Sequence, residues 1–185
     1  MTAKAMNVSM GFEHRYRWSQ RLLHWTMAAI IIAALGLGLY CSYLHHGSPQ
    51  REFLMDLHKS LGMTALALVV MRISTRAAFG EPSWRTPPSK IVRAGSHLAH
   101  GVLYLLMVLM PVAGYITSGS QGRDIPWFGA FYWPNLMPAN KALGHLASEV
   151  HVIGAYTFFA VLGLHLAAVA WHRLVKRDEV LSRML

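Results

Sequence analysis

The sequence predicts an all-α integral membrane protein, a bundle of four transmembrane helices with both termini in the cytoplasm. Three observations carry this. Charged residues make up only 14% of the 185-residue chain and hydrophobic residues 54%, where soluble proteins carry about 25% charged residues. The charges cluster, leaving uncharged apolar stretches near the roughly 20 residues that a helix needs to cross the hydrocarbon. The cations are also shared unequally between the two sets of connecting segments, as the positive-inside rule requires of a multi-span protein.

The first span is 22–44, 23 residues without a charge. A signal-peptide core runs to roughly 7–15 residues, so this stretch is read as a retained helix. The second is less obvious, because only the 12 residues 60–71 are free of charge. Extending it to 53–74 admits Asp56, Lys59 and Arg72 near its two ends, where long cations can reach out of the hydrocarbon. A span is required here because both termini are basic. The third is 94–122, bounded by Arg93 and Arg123, and the fourth is 150–172, bounded by Glu149 and Arg173. The expected organisation is a cytoplasmic segment 1–17, a four-helix domain 18–177 (helices about 18–44, 53–76, 93–119 and 142–173) and a cytoplasmic tail 178–185.

With both termini on one face, that face holds 13 cations: Lys4, Arg15, Arg17, Arg21, Arg72, Arg76, Arg85, Lys90, Arg93, Arg173, Lys176, Arg177 and Arg183. The other face holds 4, namely Arg51, Lys59, Arg123 and Lys141. The first face is therefore assigned to the cytoplasm. The net charge of +9 is read as topology and lipid attraction rather than nucleic-acid binding, because the basic residues flank apolar runs. Cys41 is the single cysteine, so there is no intrachain disulfide, and no C-x-x-C-H occurs for covalent haem attachment. The inner loop 75–92 carries Pro82, Pro87 and Pro88. The outer loop, about 119–144, carries Pro126-Trp127-Phe128 and Phe131-Tyr132-Trp133-Pro134, which suits either an interfacial aromatic belt or a lid over something buried.

Of 11 histidines, His24, His58, His97, His100, His151, His165 and His172 fall in or at the spans. Ionisable groups there are costly and usually functional. Helix direction puts His24 and His165 at the inner level, and His58 and His151 at the outer level. His151 and His165 are 14 residues apart, which is roughly 21 Å along one helix and within about 40° of the same face. One helix thus offers an imidazole to each level, and the first and second helices complete two pairs. Two axial imidazoles and a flat porphyrin satisfy iron and fill a bundle core, so two b-type haems are expected. Gly62, Gly154, Ala28 and Ala168 lie three or four residues from these histidines, where a ring would need room. His97 and His100 are read as alternative ligands or as hydrogen-bond partners of haem propionates or headgroups. His172, at the cytoplasmic boundary, is placed to touch a quinone or a propionate, or to face headgroups.

Several segments resemble the bacterial di-haem cytochrome b561 family: R-Y-R-W-S-Q-R-L-L-H-W, L-H-K-S-L-G-M, S-H-L-A-H-G-V-L-Y-L-L, E-V-H followed by G-L-H-L-A, and the tail D-E-V-L-S-R-M-L. The resemblance covers roughly residues 14–185 and rests on the order and spacing of these pieces. It implies axial pairs His24 with His165 and His58 with His151, a lesser role for His97 and His100, and electron transfer through two haem b in the bacterial inner membrane. P-W-F-G in the outer loop is similar to the branch that oxidises superoxide and passes electrons to ubiquinone, though the loop departs from that branch elsewhere. Arg123 and Lys141 are candidates to attract a small anion there. A cytochrome subunit anchoring a soluble dehydrogenase is the alternative within this class, its partner being a redox protein. A histidine-lined metal-ion transporter fits poorly, since the spans offer few carboxylates, and a purely structural anchor does not explain depth-matched histidines.

Overall fold

A computed structural model describes residues 14–185. Four long helices follow one another: α1 Trp18–Tyr43, α2 Pro49–Phe79, α3 Lys90–Ser120 and α4 Lys141–Trp171. A small antiparallel hairpin, β1 Pro126–Trp127 with β2 Phe131–Tyr132, joins α3 to α4, and α4 runs on into a π-helical turn, His172–Lys176. All four helices are long and apolar enough to cross a membrane. Residues 1–13, most of the expected N-terminal segment and with it Lys4 of the cation count, lie outside the described residues.

Local chemistry sets the helix ends. The Ser48 hydroxyl accepts from the Arg51 N–H (3.3 Å) with Pro49 in the first turn, so α2 begins ahead of its apolar run. It stops at Gly80, whose φ of 66° suits glycine. Ser89 caps α3 through the Val92 N–H, and Asn140 caps α4 through the Leu143 N–H. The charges that shorten the apolar reading of α2 have partners. Lys59 Nζ lies 3.3 Å from the Asp56 carboxylate and donates to the Asp124 carbonyl (2.9 Å). Arg72 Nε donates to the Tyr104 hydroxyl (3.0 Å).

Neighbours in sequence pack together: α1 on α2, α2 on α3, α3 on α4. The shared core is Leu103, Leu106, Met110 and Phe158, with Ile31 and Leu35 of α1 and Val161 and Leu162 of α4 against it. Large apolar side chains such as Ile32, Leu105, Ile153 and Leu164 are exposed on the outside of the bundle, the surface that lipid tails would cover.

The end of the bundle that carries both described termini is called proximal here, the other distal. The proximal end is closed by chain segments that fold back over it. The Arg183 carbonyl accepts from the Tyr16 N–H (3.0 Å), and the Met184 carbonyl accepts from Trp25 Nε1 (2.9 Å). The Arg183 guanidinium is buried over the Trp84 ring, 3.5 Å from its centre, and donates to the Pro82 carbonyl. Burial pushes the Tyr16 phenol up and the Arg183 guanidinium down from their ordinary values.

At the distal end the aromatic hairpin is pinned by Ser60, 1% exposed. Its oxygen accepts from the Phe128 N–H (2.9 Å), and its proton lies between the Asp56 carbonyl (2.7 Å) and the Pro126 carbonyl (3.1 Å). Trp127 Nε1 donates to the Thr64 hydroxyl (3.0 Å). At about 100° per residue, Ser60 and Thr64 lie well over 100° around α2 from His58. The hairpin is therefore fastened to a different face of α2 from the one that carries His58.

Candidate functional site

Fourteen residues bring a helix almost back to the same face at another depth, and all four helices use that interval. The pairs are Gly38 and His24 on α1, His58 and Arg72 on α2, Gly114 and His100 on α3, and His151 and His165 on α4. The distal layer is thus Gly38, His58, Gly114 and His151, and the proximal layer is His24, Arg72, His100 and His165. Phe158, 4% exposed, stands seven residues from both histidines of α4 and fills the apolar septum between the layers.

The two distal histidines are held by one repeated device. His58 Nδ1 is 2.8 Å from the Ala34 carbonyl, and His151 Nδ1 is 2.9 Å from the Met110 carbonyl. A carbonyl only accepts, so each Nδ1 carries the proton and each Nε2 keeps a lone pair for a metal. Four residues beyond each carbonyl stands a glycine. A Cβ on Gly38 would lie 2.9 Å from His58 Cε1, and one on Gly114 would lie 3.2 Å from His151 Cε1. Glycine bares the carbonyl of the preceding turn, and the ring occupies the space a side chain would take.

The His58 and His151 ring centres are 6.0 Å apart at an interplanar angle of 76°. Two imidazoles on opposite sides of one metal ion, each bonded at about 2 Å, stand with centres roughly 6 Å apart. The distal pair therefore fits an axial pair in spacing, tautomer and ring clearance. The orienting hydrogen bond from the second ring nitrogen is the usual companion of a metal-bound histidine.

The proximal layer is different. His24 and His165 come from α1 and α4, and His100 of α3 approaches His165, with ring centres 5.4 Å apart. Arg72 stands within electrostatic reach of His24, His100 and His165. His100 Nδ1 is 2.7 Å from the Ser96 carbonyl on its own helix. The proximal layer thus places three imidazoles and a guanidinium at the positions where the distal layer has two imidazoles and two glycines. Among the described residues no three His, Cys, Asp or Glu side chains converge as a cage for a bare metal ion; a porphyrin asks the protein for only two.

The other candidate histidines stand apart. His97 is exposed and accepts from Arg93 Nε at 3.4 Å. His172 Nδ1 meets the Asp178 carboxylate at 2.5 Å and so helps turn the chain back over the proximal end. Of the small residues expected to give a ring room, Gly62 faces only the Pro111 ring, at 3.9 Å, and Gly154 backs onto the Met110 sulfur. The clearance comes from Gly38 and Gly114. Neither follows from proximity to a histidine in sequence; the signal for both is the fourteen-residue step from His24 and from His100.

A four-span bundle with imidazoles gathered at two depths defines a class, the membrane-embedded b-type cytochromes. The chain matches prokaryotic cytochrome b561 over residues 15–185 and belongs to that family. It is similar to cytochrome b561 homolog 2 of Escherichia coli (strain K12), at 27% identity over 171 residues, covering 92% of this chain and 91% of that one. It is similar also to the probable superoxide oxidase CybB of Yersinia pestis, at 27% over 174 residues (92% and 96% covered). Cytochrome b561 homolog 1 of Escherichia coli (strain K12) is 23% identical over 175 residues (93% and 97% covered). The protein is a multi-pass bacterial membrane protein and a transmembrane electron-transfer cytochrome, and its family implies haem b as cofactor.

Proposed function

We propose that the chain carries two haem b, one per layer, and passes electrons across the bacterial inner membrane between a donor at the distal face and a quinone. His58 with His151 would hold the distal iron and His24 with His165 the proximal one. Haem supplies one-electron exchange at iron. The protein supplies imidazoles in fixed tautomers, a dry septum around Phe158 and two sites about 21 Å apart along the helices. The observation that carries the reading is the distal pair, 6.0 Å apart with both Nδ1 atoms committed to backbone carbonyls.

The proximal end is taken as cytoplasmic because the cations gather there. Superoxide is the proposed donor at the opposite face. A relative covering almost the whole chain is named a probable superoxide oxidase, and the distal loop offers exposed Arg123 and Lys141 to an anion. Two superoxide anions lose one electron each to give two O2, and a quinone takes those electrons with two protons to become the quinol.

A pyridine haemochrome assay with a reduced-minus-oxidised spectrum tests the haem count, and stopped-flow quinone reduction by superoxide tests the donor. Two protohaems per chain are expected, with His58→Ala and His24→Ala each losing one. A double variant that kept both haems would refute the ligand assignment.

A further inference from the structure

Arg72 is the one guanidinium in either layer, and among the described residues it has the Tyr104 hydroxyl and ring as neutral partners but no carboxylate. Its Nε donates to the Tyr104 hydroxyl at 3.0 Å, while its Nη1 is buried with no acceptor. The acidic side chains described at the proximal end are engaged elsewhere. Glu81 pairs with Arg76, Asp178 with His172, and Glu179 accepts from the Arg85 and Thr86 N–H groups. A half-buried guanidinium without an anion carries a desolvation cost that one neutral hydrogen bond and one ring offset only in part.

Beside it is a tight cleft lined by Tyr16, Gln20, Thr75, Arg76, Tyr104 and Met184, with room for about one water molecule. That space is too small for a quinone ring. Arg72 is also within electrostatic reach of both proposed proximal ligands, His24 and His165. On the two-haem reading, a haem held by these two histidines would bring two propionate carboxylates, which no described side chain already engages.

We propose that Arg72, positioned by Tyr104, binds carboxylate oxygens of the proximal haem, a contact that the distal layer lacks because α2 presents His58 at that level. The inference rests on the two-haem reading. Guanidinium and carboxylate match as a planar, two-pronged pair. A fixed cation at the edge of one haem also favours its reduced state, so the proximal haem takes the higher potential and electrons run from distal to proximal.

The test uses the detergent-purified holoprotein as wild type, Arg72→Gln and Arg72→Lys. Each sample is measured for haem count, potentiometric titration of the visible bands, and the propionate bending region of the resonance Raman spectrum. The expected result for Arg72→Gln is two haems, a lower potential for one of them only, and a shifted propionate band. Arg72→Lys should show a smaller drop in that same haem. Unchanged potentials and an unchanged band in Arg72→Gln would overturn the proposal. So would a wild-type potential that moves with added acetate, which would make a free carboxylate the occupant. If Arg72→Gln loses a haem, Arg72→Lys decides: two haems with a wild-type propionate band refute the contact. A wild type that does not hold two haems fails the two-haem reading instead, and the count reports that separately.

Discussion

At the distal level α1 and α3 present Gly38 and Gly114; fourteen residues away, at the proximal level, the same helices present His24 and His100. On α2 the order is His58 and then Arg72, and only α4 places a histidine at both levels. The distal layer is therefore completed by sterics. Two rings are locked on two bared carbonyls, and the other two of its four positions are glycines. On the Arg72 proposal the proximal layer is completed by charge, the guanidinium pairing with a haem carboxylate. On the two-haem proposal, one bundle can in this way give two chemically similar cofactors different surroundings, which favours a directional electron path. The determinants are single residues on repeated positions, so the contrast can be broken one column at a time.

The largest effect is expected from His58→Ala. On the two-haem proposal it removes the distal cofactor, and haemochrome content falls by roughly half while the proximal spectrum persists. Loss of both haems would mean that the layers are assembled cooperatively rather than independently.

Gly38→Ala should come next. The added Cβ would sit 2.9 Å from His58 Cε1. The ring cannot retreat without giving up the Ala34 carbonyl, so overpacking of about 1–3 kcal/mol falls on the distal site alone. The expected readout is a lower temperature for loss of the distal Soret contribution, with the proximal one unmoved. Gly114→Ala should act the same way through His151, more weakly, because its contact is 3.2 Å.

Phe158→Ala attacks the septum that separates the layers. Lipid is as apolar as the core, so the hydrophobic transfer contribution largely drops out in a membrane. What remains is the cavity, about 2 kcal/mol at roughly 24 cal/mol per Å3. The decrease should appear in denaturation by mixed micelles, and both haem spectra should broaden equally. A shift confined to one layer would show that the septum belongs to that layer's wall.

Much of this plan is legible in the sequence, and what is not has a physical reason. The four spans follow from length and charge. The grouping of His24 with His165 and of His58 with His151 follows from helix direction and the rise per residue. The span carrying Asp56, Lys59 and Arg72 is harder to read, because composition counts each charge as a cost while the fold answers them with a carboxylate, a carbonyl and a tyrosine. The distal clearance residues, expected at Gly62 and Gly154 and found at Gly38 and Gly114, are misplaced for a related reason. Small residues three or four positions from a histidine lie on its own helix, whereas the ring extends across to the next one. Gly38 and Gly114 become visible only when His24 and His100 are stepped forward by fourteen. Arg72 is legible by the same step from His58, but its sequence position near a helix end invites a snorkelling role, and only the Tyr104 contact turns it inward.

The smallest predicted effect is also the sharpest discriminator. His100 has the tautomer of a ligand, with Nδ1 on the Ser96 carbonyl, and its ring lies 5.4 Å from that of His165. On tautomer alone it rivals His24 for the proximal iron. The difference lies in what the hydrogen bond spans. His58 and His151 each bond a carbonyl of a neighbouring helix, which fixes the ring relative to the bundle; His100 bonds its own helix, which fixes it only relative to α3. It also sits on the helix whose distal position is a glycine, as His24 does, so the columns do not decide between them. His100→Ala is expected to keep two haems with at most a small shift in the proximal bands, while His24→Ala loses one. The reverse result would move the proximal axial pair to His100 and His165, leaving the distal layer and the family assignment as they are.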